Sequence, residues 1–328
     1  MPTIDDFTIR LLEKRDQSAL ISLHNSCRPD TPLTLFDLDI LAKQNEGEPY
    51  AWFGIERGGT LVGASHYRHS SENMSARTFM VDLFVDPLWH NQGLEQDLFE
   101  HLEAEVGGLE PHELAVRLRE DNRETYGFFS TRDFDERERR YTSRLHLGDL
   151  GADDLAALPT PPGALRLRSL ADLNADNTTY RELYTLMIEL LGDVPWRDSF
   201  EPWSFETWKA RLLEAPTHLP DGLLIAFRGD AMVGLTQLYR TGTPGLLSTG
   251  LTGVRRSDRR QGVATALKAA ALRYAHTHGY DTLVTTNHAT NEAMLALNAK
   301  LGFVRDPAWL LLVKTVATPG ARATTGAR

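Results

Sequence analysis

The sequence predicts an α/β chain built from two tandem copies of one domain, each a mixed, mostly antiparallel sheet flanked by helices. The first observation is an internal repeat. Segments 83–106 (LFVDPLWHNQGLEQDLFEHLEAEV) and 251–275 (LTGVRRSDRRQGVATALKAAALRYA) pair Val85 with Val254, Gly93 with Gly262 and Leu98 with Leu267, each 169 positions apart. Asn122 and Asn291, and Phe134 and Phe303, keep the same offset. One offset held through a strand, a turn and a helix marks duplicated structure. The second observation is a hairpin signal in each half, apolar and aromatic runs flanking a glycine turn. The third is length: 328 residues exceed the usual ~100–200 of one domain.

Taken in order, each half offers an opening strand (8–12 and 165–168) and one or two helices. The hairpin follows, formed by residues 50–56 and 60–67 around Arg57-Gly58-Gly59, and by 222–228 and 231–239 around Gly229-Asp230. A strand, a long helix, another strand, a short helix and a final strand complete the copy. The long helix of the second half carries Val263, Leu267, Ala270 and Ala271 at amphipathic spacing. Between the copies, Pro159, Pro161, Pro162 and Gly163 mark a linker. We therefore expect an N-terminal domain over residues 1–145, a linker over 146–164, a C-terminal domain over 165–316, and a disordered Gly/Ala/Thr/Arg tail over 317–328.

Hydrophobic residues make up 41% of the chain and charged residues 24%, values of an ordinary globular protein. The formal net charge is −10, with 35 basic against 45 acidic residues. Counterion release along a phosphate backbone would not favour such a chain, so no nucleic-acid partner is expected. No window approaches the ~18 apolar residues of a membrane span: even the stretch ALKAAALRYAHTHG is cut by Lys268, Arg273 and His276. The single cysteine, Cys27, cannot close an intramolecular disulfide, and the opening MPTIDDFTIRLLEKRD has neither a basic nor an apolar leader segment. The expected location is cytoplasmic. The oligomeric state is not readable from the sequence.

Strand 247–254 leads into RRSDRRQGVATALKAAAL. A glycine immediately before a helix allows close backbone approach, and the free N–H groups and dipole of the helix start attract an anion. The loop lacks the lysine of an ATP-binding loop and the paired glycines of a dinucleotide fingerprint. Arg259, Arg260, Gln261, Gly262, Val263 and Ala264 resemble the Q/R-x-x-G-x-G/A pyrophosphate loop of the GNAT N-acetyltransferase superfamily, which binds acetyl-coenzyme A. The segment NEAMLALNAKLGF (291–303) is similar to the second GNAT signature, roughly N-x-x-A-x-x-x-Y-x-x-x-G-F, through Asn291, Met294, Leu297, Leu301, Gly302 and Phe303. The resemblance covers both halves, in the tandem arrangement also found in mycothiol synthase.

The two copies are unequal. The first loop reads His90-Asn91-Gln92-Gly93-Leu94-Glu95, and a carboxylate at Glu95 would repel a bound anion. The first copy also has Asp133 where the second has Gly302, and Phe129 where relatives often carry a tyrosine acid. It reads as a degenerate domain, and the C-terminal copy as the active one. There the resemblance implies that Thr252, Gly253 and Val254 run beside the pantetheine arm, with a backbone N–H near Val254 polarising the thioester carbonyl. Residues 259–265, from Arg259 through Gln261 and Gly262 to Thr265, would hold the pyrophosphate, with Asn291 and Asn298 lining the cofactor along one helix face. Asn298 stands at the tyrosine position, where it can donate a hydrogen bond but not a proton. A thiolate leaving group with a pKa of about 8.5 can depart without an acid.

The resemblance thus implies acetyl transfer from acetyl-CoA, with no metal, to a primary amine of a small molecule by direct attack in a ternary complex. Protein or peptide N-acetylation, and a catalytically silent acyl-CoA sensor, are the alternatives. Glu189, Asp193 and His288 are candidates for the base that deprotonates the amine. Acceptor specificity in this fold usually comes from the early helices, here residues 189–212. Phe205, Trp208 and Leu212 sit at helical spacing and are expected in the core. Trp196 and Trp203, beside acids Asp193, Asp198 and Glu201, are better placed to line a pocket.

Overall fold

The computed structural model describes residues 7–69, 77–195 and 201–316. These form two compact units. The first takes the described residues up to Arg139 together with those from Trp309 onward, and the second takes Arg140–Ala308. The expected tail from 317, together with Trp196, Asp198 and Phe200, lies outside the described residues.

In chain order the first unit contains β1 (Phe7–Leu11), α1 (Gln17–Cys27), α2 (Leu35–Gln44), β2 (Tyr50–Arg57), β3 (Thr60–His69), β4 (Thr78–Val85), α3 (Leu94–Gly107), β5 (Glu113–Arg119) and α4 (Arg123–Ser130). Strand β6 (Asp135–His146) and the short α5 (Ala152–Ala157) follow. The second unit then repeats the pattern with β7 (Leu165–Ser169), α6 (Asn177–Leu191), α7 (Phe205–Trp208), β8 (His218–Arg228), β9 (Ala231–Arg240), β10 (Leu246–Val254), α8 (Val263–Thr277), β11 (Thr282–His288), α9 (Glu292–Lys300) and β12 (Val304–Arg305). The last strand of the chain is β13 (Trp309–Thr315).

In the first unit the strands run β1-β2-β3-β4-β5-β13, antiparallel except for the parallel pair β4/β5. In the second unit they run β6-β11-β10-β9-β8-β7, antiparallel except for β10/β11. The strand pairing of each unit is therefore mixed and mostly antiparallel, as the sequence predicts. The closing strands follow a different order from the chain. β13 pairs with β5 in the first unit, and its Leu311 and Val313 pack with Met80 and Ala115. β6 pairs with β11 in the second unit from His146↔Thr282 to Arg140↔His288.

In both units the parallel pair is short. β4 and β5 are joined only from Thr78↔Glu113 to Met80↔Ala115, and β10 and β11 only from Leu246↔Thr282 to Thr249↔Thr285. Beyond Thr249 the register of β10 against β9 shifts, a bulge that carries Gly250 and Leu251. A bulge turns its strand and increases the local twist, and here the parallel pairing ends where the bulge begins. Among the described residues, β11 does not pair with the C-terminal end of β10.

Helices α8 and α6 cover the strands of the second unit. Val263, Ala266 and Leu267 of α8 pack with Val233 and Val254, while Ala271, Leu272 and Ala275 join Leu247 and Leu283. Leu183, Leu186, Met187 and Leu190 of α6 pack with Phe205, Trp208 and Leu212, the residues expected in the core. Tight approach is built into the strands by glycine. A Cβ at Gly234 would lie 2.8 Å from the Gly253 carbonyl oxygen, and one at Gly253 would lie 3.0 Å from a methyl of Leu190.

Candidate active site

Strand β10, the loop after it and the start of α8 build the site in the second unit. Arg255 N–H donates to the Val233 carbonyl oxygen at 2.8 Å. Hydrogen bonding alternates along an antiparallel ladder, so in the adjacent Val254↔Gly234 pair the Val254 N–H and C=O point away from β9. The Val254 carbonyl accepts from Arg259 Nε at 3.0 Å, consistent with that direction. The Thr252↔Thr236 pair has the same parity, so the N–H groups of Thr252 and Val254 both face the side that β11 has left. The Thr252 hydroxyl is held by Thr236 Oγ1 at 2.7 Å. This is the position in which the sequence reading places a thioester carbonyl donor.

The loop reaches α8 through two left-handed residues, Arg260 (φ 61°) and Gly262 (φ 78°). A positive φ costs a non-glycine residue about 1 kcal/mol, and at Gly262 there is no Cβ to strain. Gly262 is the N-cap of α8 and supplies no side-chain cap, and the first turn carries no acid. Ala266 N–H donates to the Gly262 carbonyl at 3.0 Å and starts the helical ladder. The N–H groups of Val263, Ala264 and Thr265 precede the first i→i−4 bond, so they form the unsatisfied start of a helix where an anion is stabilised.

The side chains of the loop divide between framework and cleft. Gln261 accepts from Arg228 Nη2 at 2.8 Å and donates to the Ser257 carbonyl at 3.2 Å, and Arg228 Nε also bonds Asp258 at 2.8 Å. These contacts hold the loop. Arg260 is exposed. Arg259 bonds Asp193, which also accepts from Arg256 Nε at 3.0 Å, and Arg255 pairs with Glu189 at 3.2 Å. The Arg256 guanidinium, and Arg259 after it, hold the Asp193 carboxyl below the usual carboxylate range. A carboxylate stabilised in its charged form is a weaker proton acceptor, so this geometry argues against Asp193 as the base. His288 Nδ1 lies 2.7 Å from Thr290 Oγ1 and accepts from the Thr290 N–H at 3.2 Å.

On α9, Asn291 is the N-cap and accepts from Met294 N–H at 3.3 Å. Asn298 is buried and donates to Asn287 Oδ1 on β11 at 2.7 Å, and its own Oδ1 has no partner among the described residues. Asn287, on the strand that diverges from β10, is a site residue that sequence reasoning missed. Arg255 and Arg256 are two more. Their signal was the run of arginines around Asp258, which could not show that α6 supplies the opposing acids. Trp203 is exposed, its carbonyl accepts from the Tyr184 hydroxyl at 2.7 Å, and Arg211 lies 5.1 Å from its ring centroid.

The first unit repeats the backbone of the loop, with Asn91 (φ 60°) and Gly93 (φ 86°) in the equivalent positions. The chemistry differs. The first turn of α3 carries Glu95 and Asp97, and His90, Glu95 and Glu124 bring potential ligand atoms within 4.8 Å of one another. His90, Glu95 and Glu124, with Phe84 and Phe128, line a cleft of about 400 Å³. The cradle is thus retained in shape but made acidic, which opposes a diphosphate.

Each unit thus carries a mixed, mostly antiparallel set of strands with a short parallel pair and a helix start beside it. The Acetyltransferase (GNAT) family matches the chain twice, over residues 17–134 and 188–303. The chain belongs to the GNAT acetyltransferase family and is an acyltransferase with two such domains in tandem. Among solved structures, it is similar to a GCN5-related N-acetyltransferase from Sphaerobacter thermophilus, with a TM-score of 0.73, 18% identity, and coverage of 96% of this chain and 97% of that one. A tandem GNAT protein from the clavulanic acid biosynthesis pathway gives a TM-score of 0.73 and 18% identity over 94% and 98% of the two chains. A GNAT-family acetyltransferase from Colwellia psychrerythraea gives 0.61 and 15% over 94% and 100%. At these identities the likeness is one of fold. No curated protein matches the chain by sequence. No helix of the described residues is long and apolar enough to cross a membrane.

Proposed function

We propose that the C-terminal copy, residues 165–316, is an N-acetyltransferase that moves the acetyl group of acetyl-CoA to a primary amine of a small molecule by direct attack in a ternary complex. The observation that carries this reading is the pairing of two donor sets: the uncapped, acid-free start of α8 behind left-handed Gly262, and the outward N–H groups at the end of β10. The residues fit the group. Backbone N–H groups of Val263, Ala264 and Thr265 would hold the diphosphate, with Arg259 and Arg260 adding charge. Thr252, Gly253 and Val254 would run beside the pantetheine arm. The Val254 N–H would donate to the carbonyl oxygen that gains charge on attack.

Bound acetyl-CoA supplies a thioester as acyl donor. This chain's residues bind it, orient its carbonyl and exclude competing positions. Asn298 would assist departure by hydrogen bonding alone, since an amide has no proton to give. With Asp193 committed to Arg256 and Arg259 and Glu189 paired with Arg255, His288 remains as a proton acceptor, directly or through water. The exposed ring of Trp203 suits a cationic amine. The acidic first cradle supports assigning the chemistry to the second copy.

Incubation with acetyl-CoA and a panel of small amines and peptides, followed by release of free thiol, tests the reading. Turnover on a small amine without an acetylated enzyme intermediate is expected. Binding without turnover on any acceptor would establish a sensor instead, and turnover on peptides alone would establish a protein acetyltransferase.

A further inference from the structure

The acids at the end of α6 face the arginines of the cradle loop. Asp193 follows directly on Gly192, the C-cap of α6, and its position is fixed by two turn bonds, Asp193 N–H to the Leu190 carbonyl at 3.2 Å and Val194 N–H to the Leu191 carbonyl at 3.1 Å. Its carboxylate receives Arg256 on one oxygen and Arg259 on the other. The Asp193 side chain is only 18% exposed, against 41% for Arg259 and 78% for Arg256, so the acid is the enclosed member and the arginines reach in to it. Arg259 is anchored at the same time through Nε to the Val254 carbonyl. One guanidinium therefore links the end of β10, the cradle loop and the turn after α6. The same turn adjoins the reacting end of the strand, because Leu190 packs directly over Gly253.

We propose that Asp193 is a positioning residue that stands in for the diphosphate before acetyl-CoA binds, and that the diphosphate displaces it from Arg259, coupling capture of the acyl donor to placement of the acceptor-side turn. The inference rests on the assignment of the α8 cradle to acetyl-CoA. The physical basis is competition for one cation. A guanidinium presents donors that fit a carboxylate or a phosphate in the same manner, and the doubly charged diphosphate is the stronger anion. Arg259 stays tethered to Val254 through Nε while its outer nitrogens change partner. Asp193 retains Arg256, so the turn is shifted and not released.

The experiment compares wild type with Asp193→Asn and Asp193→Glu in the full chain, measuring the dissociation constant of CoA by calorimetry and the separate KM values for acetyl-CoA and for an amine that turns over. Removing an internal competitor should tighten CoA binding and lower KM for acetyl-CoA about three- to tenfold, the range set by one or two partly exposed ion pairs. It should raise KM for the amine, because the turn loses its anchor. Asp193→Glu should restore both towards wild type. A purely structural role would move both constants in the unfavourable direction, and that result, or unchanged CoA affinity, overturns the inference. Hydrogen exchange on the unaltered protein gives a second reading. CoA should protect amides 263–265 and deprotect those of 192–194. Protection of both segments overturns the proposal. Gly262→Glu distinguishes failure of the Asp193 role from failure of the cradle assignment: if CoA binds this variant as tightly as wild type, the cradle assignment itself fails, whatever Asp193 does.

Discussion

Replacing Lys268 with methionine is expected to stabilise the protein near neutral pH and to abolish one component of its pH dependence. Lys268 projects from α8 into the core of the second unit and is 1% exposed. Its Nζ donates to Thr285 Oγ1 at 3.0 Å and lies 5.5 Å from the Phe303 ring centroid. No carboxylate pairs with it among the described residues. Burial lowers the ammonium pKa from 10.5 to about 7. The unfolded chain therefore holds the extra proton between about pH 7 and 10.5, so the stability of the folded state rises with pH through that window and is most depressed below pH 7. The full window corresponds to at most about 5 kcal/mol. Methionine fills similar space at a cost under about 1.5 kcal/mol, and the lost bond leaves the Thr285 hydroxyl unpaired at about 1 kcal/mol. A net gain of about 1–3 kcal/mol is expected at pH 7. Urea unfolding of both proteins from pH 6 to 9.5 provides the assay. The advantage of the variant should shrink as pH rises above 7, by about 1 kcal/mol per pH unit at the steepest point. A difference that stays constant over the whole range would refute the reasoning, because it would mean that Lys268 carries the same charge folded and unfolded.

Three further outcomes are expected. Arg28 donates to both carboxylate oxygens of Asp82, at 2.6 and 2.8 Å, so Arg28→Ala should strand an enclosed charge and cost about 3–5 kcal/mol in denaturant unfolding; a loss below 1 kcal/mol contradicts this. Gly234→Ala brings a methyl to 2.8 Å from the Gly253 carbonyl oxygen, and should cost about 1–3 kcal/mol and reduce acetyl transfer; unaltered thermal unfolding and turnover would show that β9 and β10 part without penalty. Asn298→Ala leaves Asn287 Oδ1 without its donor and should cost about 1–3 kcal/mol of stability, with kcat falling less than about tenfold; a thousandfold fall would show that Asn298 has a chemical role beyond hydrogen bonding.

The parts of the fold set by local pattern were legible in the sequence. The glycine turns at Gly58-Gly59 and Gly229 placed both hairpins within a few residues of β2/β3 and β8/β9, because turn chemistry and alternation act over short range. Gly262 announced the start of α8 for the same reason. The partners of the closing strands were not legible. β6 and β13 carry no residue that marks which strand each will pair with, and their pairing with β11 and β5 is decided by contacts distant in sequence. In the site, the cradle backbone could be read from its glycine, whereas the engagement of Asp193 with Arg256 and Arg259 could not, since it joins segments more than 60 residues apart. The same holds for Asn287 and Asn298. Individually each is an unremarkable polar residue, and only the approach of α9 to β11 makes them a pair. The retained left-handed geometry at Asn91 and Gly93 adds a further point: Glu95 altered the charge of the first cradle without altering its path.

The central claim is that the start of α8, and not the start of α3, receives the diphosphate of acetyl-CoA. Calorimetric titration of the full chain with CoA, for wild type, Gly262→Glu and Glu95→Gly, measures this directly. One strong site per chain is expected, greatly weakened by Gly262→Glu and barely changed by Glu95→Gly. Binding that survives Gly262→Glu and strengthens markedly with Glu95→Gly would contradict it and move the active site to the first copy.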